Sequence, residues 1–245
     1  MKIPENSFLR TTPIAHRGLH DIAQGIPENS YAAYETAIAR GYAIEIDVRF
    51  SNDGKLVVFH DDILDRLTEE KGKVFSKTWK QLQQLHLQGT KEKIPLFSEL
   101  LNTINGRTPL LIELKDVPEQ KGLVQSTLKM LKDYRGEYAL QSFNPKYVYQ
   151  IKKIAPKVIR GQLAFIPAKN DTMPPLQKWA LKNMPFHFLT QPDFISFNIA
   201  DLPYKKAKKK NTLLLGWTVR TEKEYLRVKS CIDNVIFENI SPETL

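Results

Sequence analysis

Short apolar runs rich in Ile, Val, Leu and Phe recur along the chain. Between them lie longer stretches in which apolar residues return every three or four positions. The first pattern predicts strands and the second predicts amphipathic helices. The strand candidates are Ile14–His16, Ile44–Val48, Leu110–Leu114, Tyr138–Gln141, Val158–Leu163, Phe194–Phe197, Leu213–Val219 and Asn234–Phe237. Helical periodicity is clear over Tyr31–Arg40, Leu96–Ile104, Gln120–Tyr134, Lys146–Ile154, Leu176–Met184 and Glu222–Lys229. Strands alternating with helices predict a parallel sheet, and eight such units in 245 residues predict an α/β chain folded as a closed (β/α)8 TIM barrel. One segment breaks the repeat. Leu56–His60 reads as an additional strand, and Asp61–Pro95 is long, polar and weakly periodic apart from a short helix expected over Thr78–Leu85. Residues 61–95 are therefore expected to be a small insertion after the second strand, within a single domain spanning 1–245. Insertions at this end of a barrel usually shape the active site.

Period two decides which side chains meet. In Ile44-Glu45-Ile46-Asp47-Val48 the three apolar residues share one face and the two carboxylates the other. If the isoleucines face the surrounding helices, Glu45 and Asp47 point into the barrel. By strand rise they stand roughly 6–7 Å apart, and they repel unless a cation lies between them. Leu111-Ile112-Glu113-Leu114-Lys115 repeats the pattern and sends Glu113 and Lys115 inward. Three inward acids make an oxygen-only cage suited to one divalent metal ion, Mg²⁺ or Ca²⁺ in preference to zinc. The structural alternative is that the acids pair with Lys115 and other inward cations, but three acids toward one barrel end exceed what stability requires. His16 and His60 end strand candidates near these acids, and a neutral and a protonated imidazole can share the base and acid roles at neutral pH. Arg17 can fork onto a phosphate, and Lys115 adds a point charge. His20, His86 and His187 have no such company.

Composition narrows the setting. The 36 Lys+Arg against 27 Asp+Glu give a formal charge of +9, which favours anionic partners. The densest cluster, Lys205–Lys210, reads as a solvated helix end or as a loose contact with an anionic membrane. It carries no interleaved aromatic residues, so a nucleic-acid role rests on charge alone. No run approaches the roughly 18 apolar residues that span a bilayer. The single cysteine, Cys231, excludes an internal disulfide, and these features lead us to expect a cytoplasmic protein.

Several motifs in order carry a resemblance. His16-Arg17-Gly18, Pro27-Glu28-Asn29-Ser30, Ile44–Val48, Asp53–Asp61 and Leu64-Asp65-Arg66-Leu67-Thr68 resemble the glycerophosphodiester phosphodiesterase family, densely from about Ile14 to Lys115. Ile94–Leu100, Leu111–Lys115 and Gly216-Trp217-Thr218-Val219 continue the likeness more sparsely. The resemblance implies a barrel with an insertion after the second strand. It also implies hydrolysis of glycerophosphodiesters to sn-glycerol 3-phosphate and an alcohol. It implies that His16 and His60 are the acid–base pair, that Glu45, Asp47 and Glu113 hold the metal, and that Arg17 and Lys115 bind phosphate. Trp217 would line the substrate site and Glu28 would lie near it, although Pro27–Ser30 also reads as a turn and helix cap. Ser30, Arg220 and Phe237-Glu238-Asn239 depart from the family pattern, the latter two at the substrate mouth, where they bear on the alcohol accepted. The alternatives are a lysophospholipase D-type enzyme working on lyso-lipids at a membrane surface and a non-catalytic barrel that binds phosphorylated ligands.

Overall fold

The structure, a computed structural model, describes residues 3–117, 119–168, 170–209 and 211–241. Contacts divide the chain into two compact units, one of residues 14–138 and one of residues 1–13 with 139–245.

The first unit begins with β1 (Ile14–Ala15), followed by α2 (Tyr31–Ala39), which comes after the short α1 (Phe8–Thr11) of the other unit. Next come β2 (Ala43–Phe50), β3 (Leu56–Val58), α3 (Trp79–Leu82), α4 (Phe97–Ile104), β4 (Leu110–Leu114) and α5 (Leu123–Leu131). β2 is central. It pairs in parallel with β1 on one side and with β4 on the other, while β3 folds back on it antiparallel. Every residue of β2 is buried, including Glu45, Asp47 and Arg49. Such a strand is tolerated only when each charge finds partners.

The second unit runs from Ala139 of β5 (Tyr138–Ser142) through α6 (Pro145–Ile154), β6 (Arg160–Ala164), α7 (Pro175–Asn183), α8 (His187–Thr190), β7 (Phe194–Asn198), β8 (Leu213–Val219), α9 (Glu222–Val228) and β9 (Asn234–Phe237). These five strands pair in sequence, all parallel. Apart from the antiparallel β3, eight strands thus fall at the eight predicted places.

Element ends differ from the sequence expectation for local reasons. α5 starts at Leu123 rather than Gln120 because Gly122 takes φ +89°, outside helical space. β6 starts at Arg160 rather than Val158, whose amide instead donates to the Ala155 carbonyl in the turn after α6. Segment 61–95 holds a helix shorter than expected, capped by Thr78 and Gln81. Its apolar residues close a small core of their own, in which Leu64, Leu67, Val74, Leu82, Leu87 and Ile94 pack on Val57 and Phe59. Lys205–Lys209 lie in turns rather than at a helix end, and Lys210 falls outside the described residues. There Lys206 donates to Asn183 Oδ1 at 3.0 Å and Lys208 to Asp233 Oδ1 at 2.9 Å.

Candidate active site

The three acids expected on two strands meet. β2 and β4 run in register with Asp47 opposite Glu113, which puts Glu45, Asp47 and Glu113 at one place. One carboxylate oxygen from each lies within 4.8 Å of the others, and all three residues are buried. Glu45 Oε1 is buried with no hydrogen-bond partner among the described residues. An orphaned carboxylate oxygen in an all-oxygen cluster is what a hard divalent cation would satisfy, so the residues present fit such an ion.

Cations surround the cluster. Lys115, just past β4, places Nζ 2.9 Å from Glu113 Oε1 and 3.4 Å from Asp47 Oδ1. Arg17 Nε lies 3.6 Å from Asp47 Oδ2, and its backbone amide donates to Glu45 Oε2 at 3.2 Å. Asn29 Nδ2 donates to Asp47 Oδ2 at 2.9 Å and is itself held by the buried Tyr34 hydroxyl. The electrostatic consequence is a split between neighbours. Burial opposes ionisation of Asp47, but Lys115, His60, Arg17 and His16 outweigh it and hold the carboxyl well below its usual range. Burial, followed by the charges of Asp47 and Glu113, pushes Glu45 well above the usual range despite Arg17 and Lys115. Burial by itself would lower the Lys115 pKa, yet Glu113 and Asp47 outweigh it, leave the pKa raised and keep the side chain cationic.

His16 and Arg17 sit on the turn that ends β1. The strand stops at Ala15, one residue earlier than expected, because Arg17 adopts φ +58° and Gly18 φ +81°. The turn is tied to the Pro27–Ser30 segment, whose Asn29 amide donates to the Arg17 carbonyl. Ser30 caps α2 by accepting from Ala33 N at 3.1 Å, while Glu28 accepts from Arg17 at 2.6 Å, so this segment serves both the cap and the site. His16 Nε2 lies 3.9 Å from Glu45 Oε2. His60 lies two residues past β3, with Nδ1 2.6 Å from Asp61 Oδ1. With Asp61 ionised, Nδ1 carries the hydrogen of that contact, which leaves Nε2 as the other exchangeable position.

Sequence reasoning gave no role to Arg66, Asp61 or Asn29. Arg66 forks onto two carboxylates at once: Asp61 at 2.7 and 2.9 Å and Glu28 at 2.7 and 3.0 Å. One guanidinium therefore connects the partner of His60 with the partner of Arg17. Burial would raise Glu28 and Asp61, but hydrogen bonds from Arg66 lower Glu28, and those from His60 and Arg66 lower Asp61, leaving both below the ordinary range. Asp61 and Arg66 fall in the motifs noted above, but nothing in their spacing signalled this shared clamp.

Trp217 belongs to the other unit. It is half-buried in β8 and packs edge-on against Phe143 with ring centroids 5.8 Å apart, and Phe143 packs edge-on against Phe165. Its indole Nε1 is buried without a hydrogen-bond partner among the described residues. Arg220, which departs from the family pattern, is engaged by Glu238 at 2.7 Å.

The model of the glycerophosphoryl diester phosphodiesterase family matches residues 16–241. The chain belongs to that family. It is 30% identical to the glycerophosphodiester phosphodiesterase of Caldanaerobacter subterraneus subsp. tengcongensis, with 97% of each chain covered. It is 28% identical to human glycerophosphodiester phosphodiesterase 1 over 88% of this chain and 74% of the human one. Among solved structures, an Oleispira antarctica phosphodiesterase in complex with the product sn-glycerol-3-phosphate superposes with a TM-score of 0.75 at 24% identity, covering 93% of this chain and 92% of that one. A Silicibacter pomeroyi protein superposes with a TM-score of 0.76 at 21% identity, with 92% and 89% covered. The fold is accordingly the (β/α)8 barrel that the strand–helix alternation predicts. Like other members of its family, the chain is a phosphoric diester hydrolase acting as a glycerophosphodiester phosphodiesterase. Among the described residues no helix is long and apolar enough to cross a membrane.

Proposed function

We propose that this chain hydrolyses glycerophosphodiesters to sn-glycerol 3-phosphate and an alcohol, using one divalent metal ion, Mg²⁺ or Ca²⁺, and the two histidines His16 and His60. The observation that carries this reading is the buried cluster of Glu45, Asp47 and Glu113, with one Glu45 oxygen unpartnered, beside charged Arg17 and Lys115. These three acids would hold the ion. A bound divalent cation supplies charge stabilisation for the non-bridging oxygens of a phosphodiester.

The remaining steps belong to the protein. Arg17 offers a planar fork and Lys115 a point charge to the phosphate, and both stay cationic because the acids around them outweigh burial. One histidine takes a proton from the attacking oxygen, either of water or of a neighbouring substrate hydroxyl whose cyclic phosphate product water then opens, as the other delivers a proton to the leaving alkoxide oxygen. Asp61 fixes the tautomer and orientation of His60, so that its Nε2 is the atom that exchanges a proton. The family resemblance assigns Trp217, which packs edge-on against Phe143, to the organic part of the substrate. The 30% identical bacterial relative and the product named for the Oleispira structure support this substrate class.

The test is release of sn-glycerol 3-phosphate from glycerophosphocholine by the parent protein and by the His16→Ala and His60→Ala variants. Each substitution is expected to lower turnover by about 10²–10⁴-fold with the circular-dichroism melt unchanged. Unchanged turnover in either variant removes that histidine from the mechanism.

A further inference from the structure

Residues 138–192 carry seven lysines and an arginine against a single acid, Asp171. The same stretch holds α6, α7 and α8, and its surface is unusually apolar. Seven of the ten exposed large hydrophobic residues among those described fall between Tyr149 and Leu189, six of them on these three helices and Phe186 just before α8. α7 buries none of its residues. Its Leu176 and Trp179, three apart on one face, are 75% and 51% exposed. Phe186 and Phe188, at the start of α8, are 44% and 69% exposed, and Ile154 at the end of α6 is 50% exposed.

The three helices are neighbours in the chain, and two of them pack together. α6 packs on α8, and Lys152 Nζ donates to the Leu189 carbonyl at 2.8 Å. Only Met184–Phe186 separates α7 from α8, and Lys206 reaches Asn183 at the end of α7. Lys152 and Lys153 stand in the last turn of α6 beside Ile154, and Lys182 and Lys206 stand at the end of α7.

We propose that this face docks the protein on an anionic phospholipid bilayer. Leu176, Trp179, Phe186 and Phe188 enter the headgroup–acyl boundary while these lysines meet lipid phosphates. Apolar and aromatic residues flanked by lysines are the pattern an interfacial helix needs, and juxtaposed basic residues are drawn to anionic leaflets. Charge complementarity selects this occupant. A second copy would set one lysine-rich face against another. Nucleic acid would satisfy the lysines but leave the leucine and phenylalanines without an apolar phase.

The experiment is co-sedimentation of the full chain with phosphatidylcholine vesicles made with and without phosphatidylglycerol, with Trp179 emission as a second readout. Binding is expected only to the anionic vesicles, with a blue shift of emission that a Trp179→Phe variant lacks. The Trp179→Ser/Phe188→Ser double variant is expected to lose roughly tenfold or more in partitioning. The Lys182→Glu/Lys206→Glu variant is expected to lose binding to a similar degree. Both residue pairs lie at the surface, and an unchanged thermal melt confirms that the variants remain folded. No binding to anionic vesicles, or binding that the double serine variant leaves unchanged, overturns the proposal. A lipid-free, concentration-dependent association abolished by the same variant would assign the face to a second copy instead, and RNA binding lost in the glutamate variant but kept in the serine variant would assign it to nucleic acid.

Discussion

Removing the Arg66 guanidinium should weaken two site residues that it never touches. Arg66 is half-exposed, but its partners Asp61 and Glu28 are mostly buried, so its two forks lie between surface and interior pairs in strength. Exposed ion pairs contribute roughly 0.2–1 kcal/mol, and hydrogen bonds to buried charged groups roughly 1.5–3. Taking about 1 kcal/mol for each fork, Arg66→Ala should cost about 2 kcal/mol. The loss is not larger because Glu28 keeps Arg17 and Asp61 keeps His60. For a chain of this length that corresponds to a fall in Tm of about 4–8 °C. The activity effect should exceed what that stability loss explains at assay temperature. Asp61 orients His60 and Glu28 orients Arg17, and loss of such supporting partners typically costs about 10–100-fold. The fall should appear chiefly in kcat, because what is disturbed is the alignment of groups that act in the transition state. Arg66→Lys should recover part of the stability but little of the activity, since one ammonium cannot fork onto two carboxylates. The assays are steady-state hydrolysis of glycerophosphocholine and a thermal melt of each variant. An Arg66→Ala enzyme with kcat/KM within about twofold of the parent would refute the clamp as a positioning device.

Four further outcomes follow from the same geometry. Glu28 and Asp61 have lowered pKa values, so their contribution to stability is complete above the ordinary carboxylate range and is lost as pH falls below about 4; the acid limb of a Tm–pH profile should flatten in Arg66→Ala. Glu45 has a raised pKa, so binding a divalent cation must displace its proton, and Mg²⁺ affinity measured by calorimetry should weaken as pH falls, with proton release on binding; a pH-independent affinity would contradict the ligand assignment. Gly18→Ala should destabilise by about 1–3 kcal/mol, because φ is +81° and the new Cβ would lie 2.8 Å from Ala33 Cβ; an unchanged melt would show that the His16–Gly18 turn can move. Asn29→Ala should lower metal affinity roughly tenfold by releasing Asp47, and equal affinity would remove Asn29 from that support.

Period-two alternation was enough to place Glu45 and Asp47 on one face of β2 and Glu113 on the corresponding face of β4. Strand geometry is local, and these side chains had to be buried together once the isoleucines turned outward. Parallel strand–helix units were legible for the same reason. Arg66 was not. Its partners lie 5 and 38 positions away, and they converge only after the insertion folds on its own core of Leu64, Leu67 and Val74. Asn29 depends on a backbone at φ +50°, which residue type alone does not announce. Helix ends were missed where a single glycine or turn decided them, as Gly122 does for α5. The amphipathic pattern of Leu176–Met184 marks a helix, but only the tertiary structure shows that Leu176 and Trp179 stay exposed on it.

The central claim is that Glu45, Asp47 and Glu113 hold a divalent cation required for phosphodiester hydrolysis. Its most direct test is sn-glycerol 3-phosphate release from glycerophosphocholine after EDTA treatment, followed by addition of Mg²⁺ or Ca²⁺, for the parent and for Asp47→Asn. Loss of release in EDTA, recovery with one of the two ions and no recovery in Asp47→Asn is the predicted result. Full release in EDTA, or an Asp47→Asn enzyme that behaves like the parent, would contradict it.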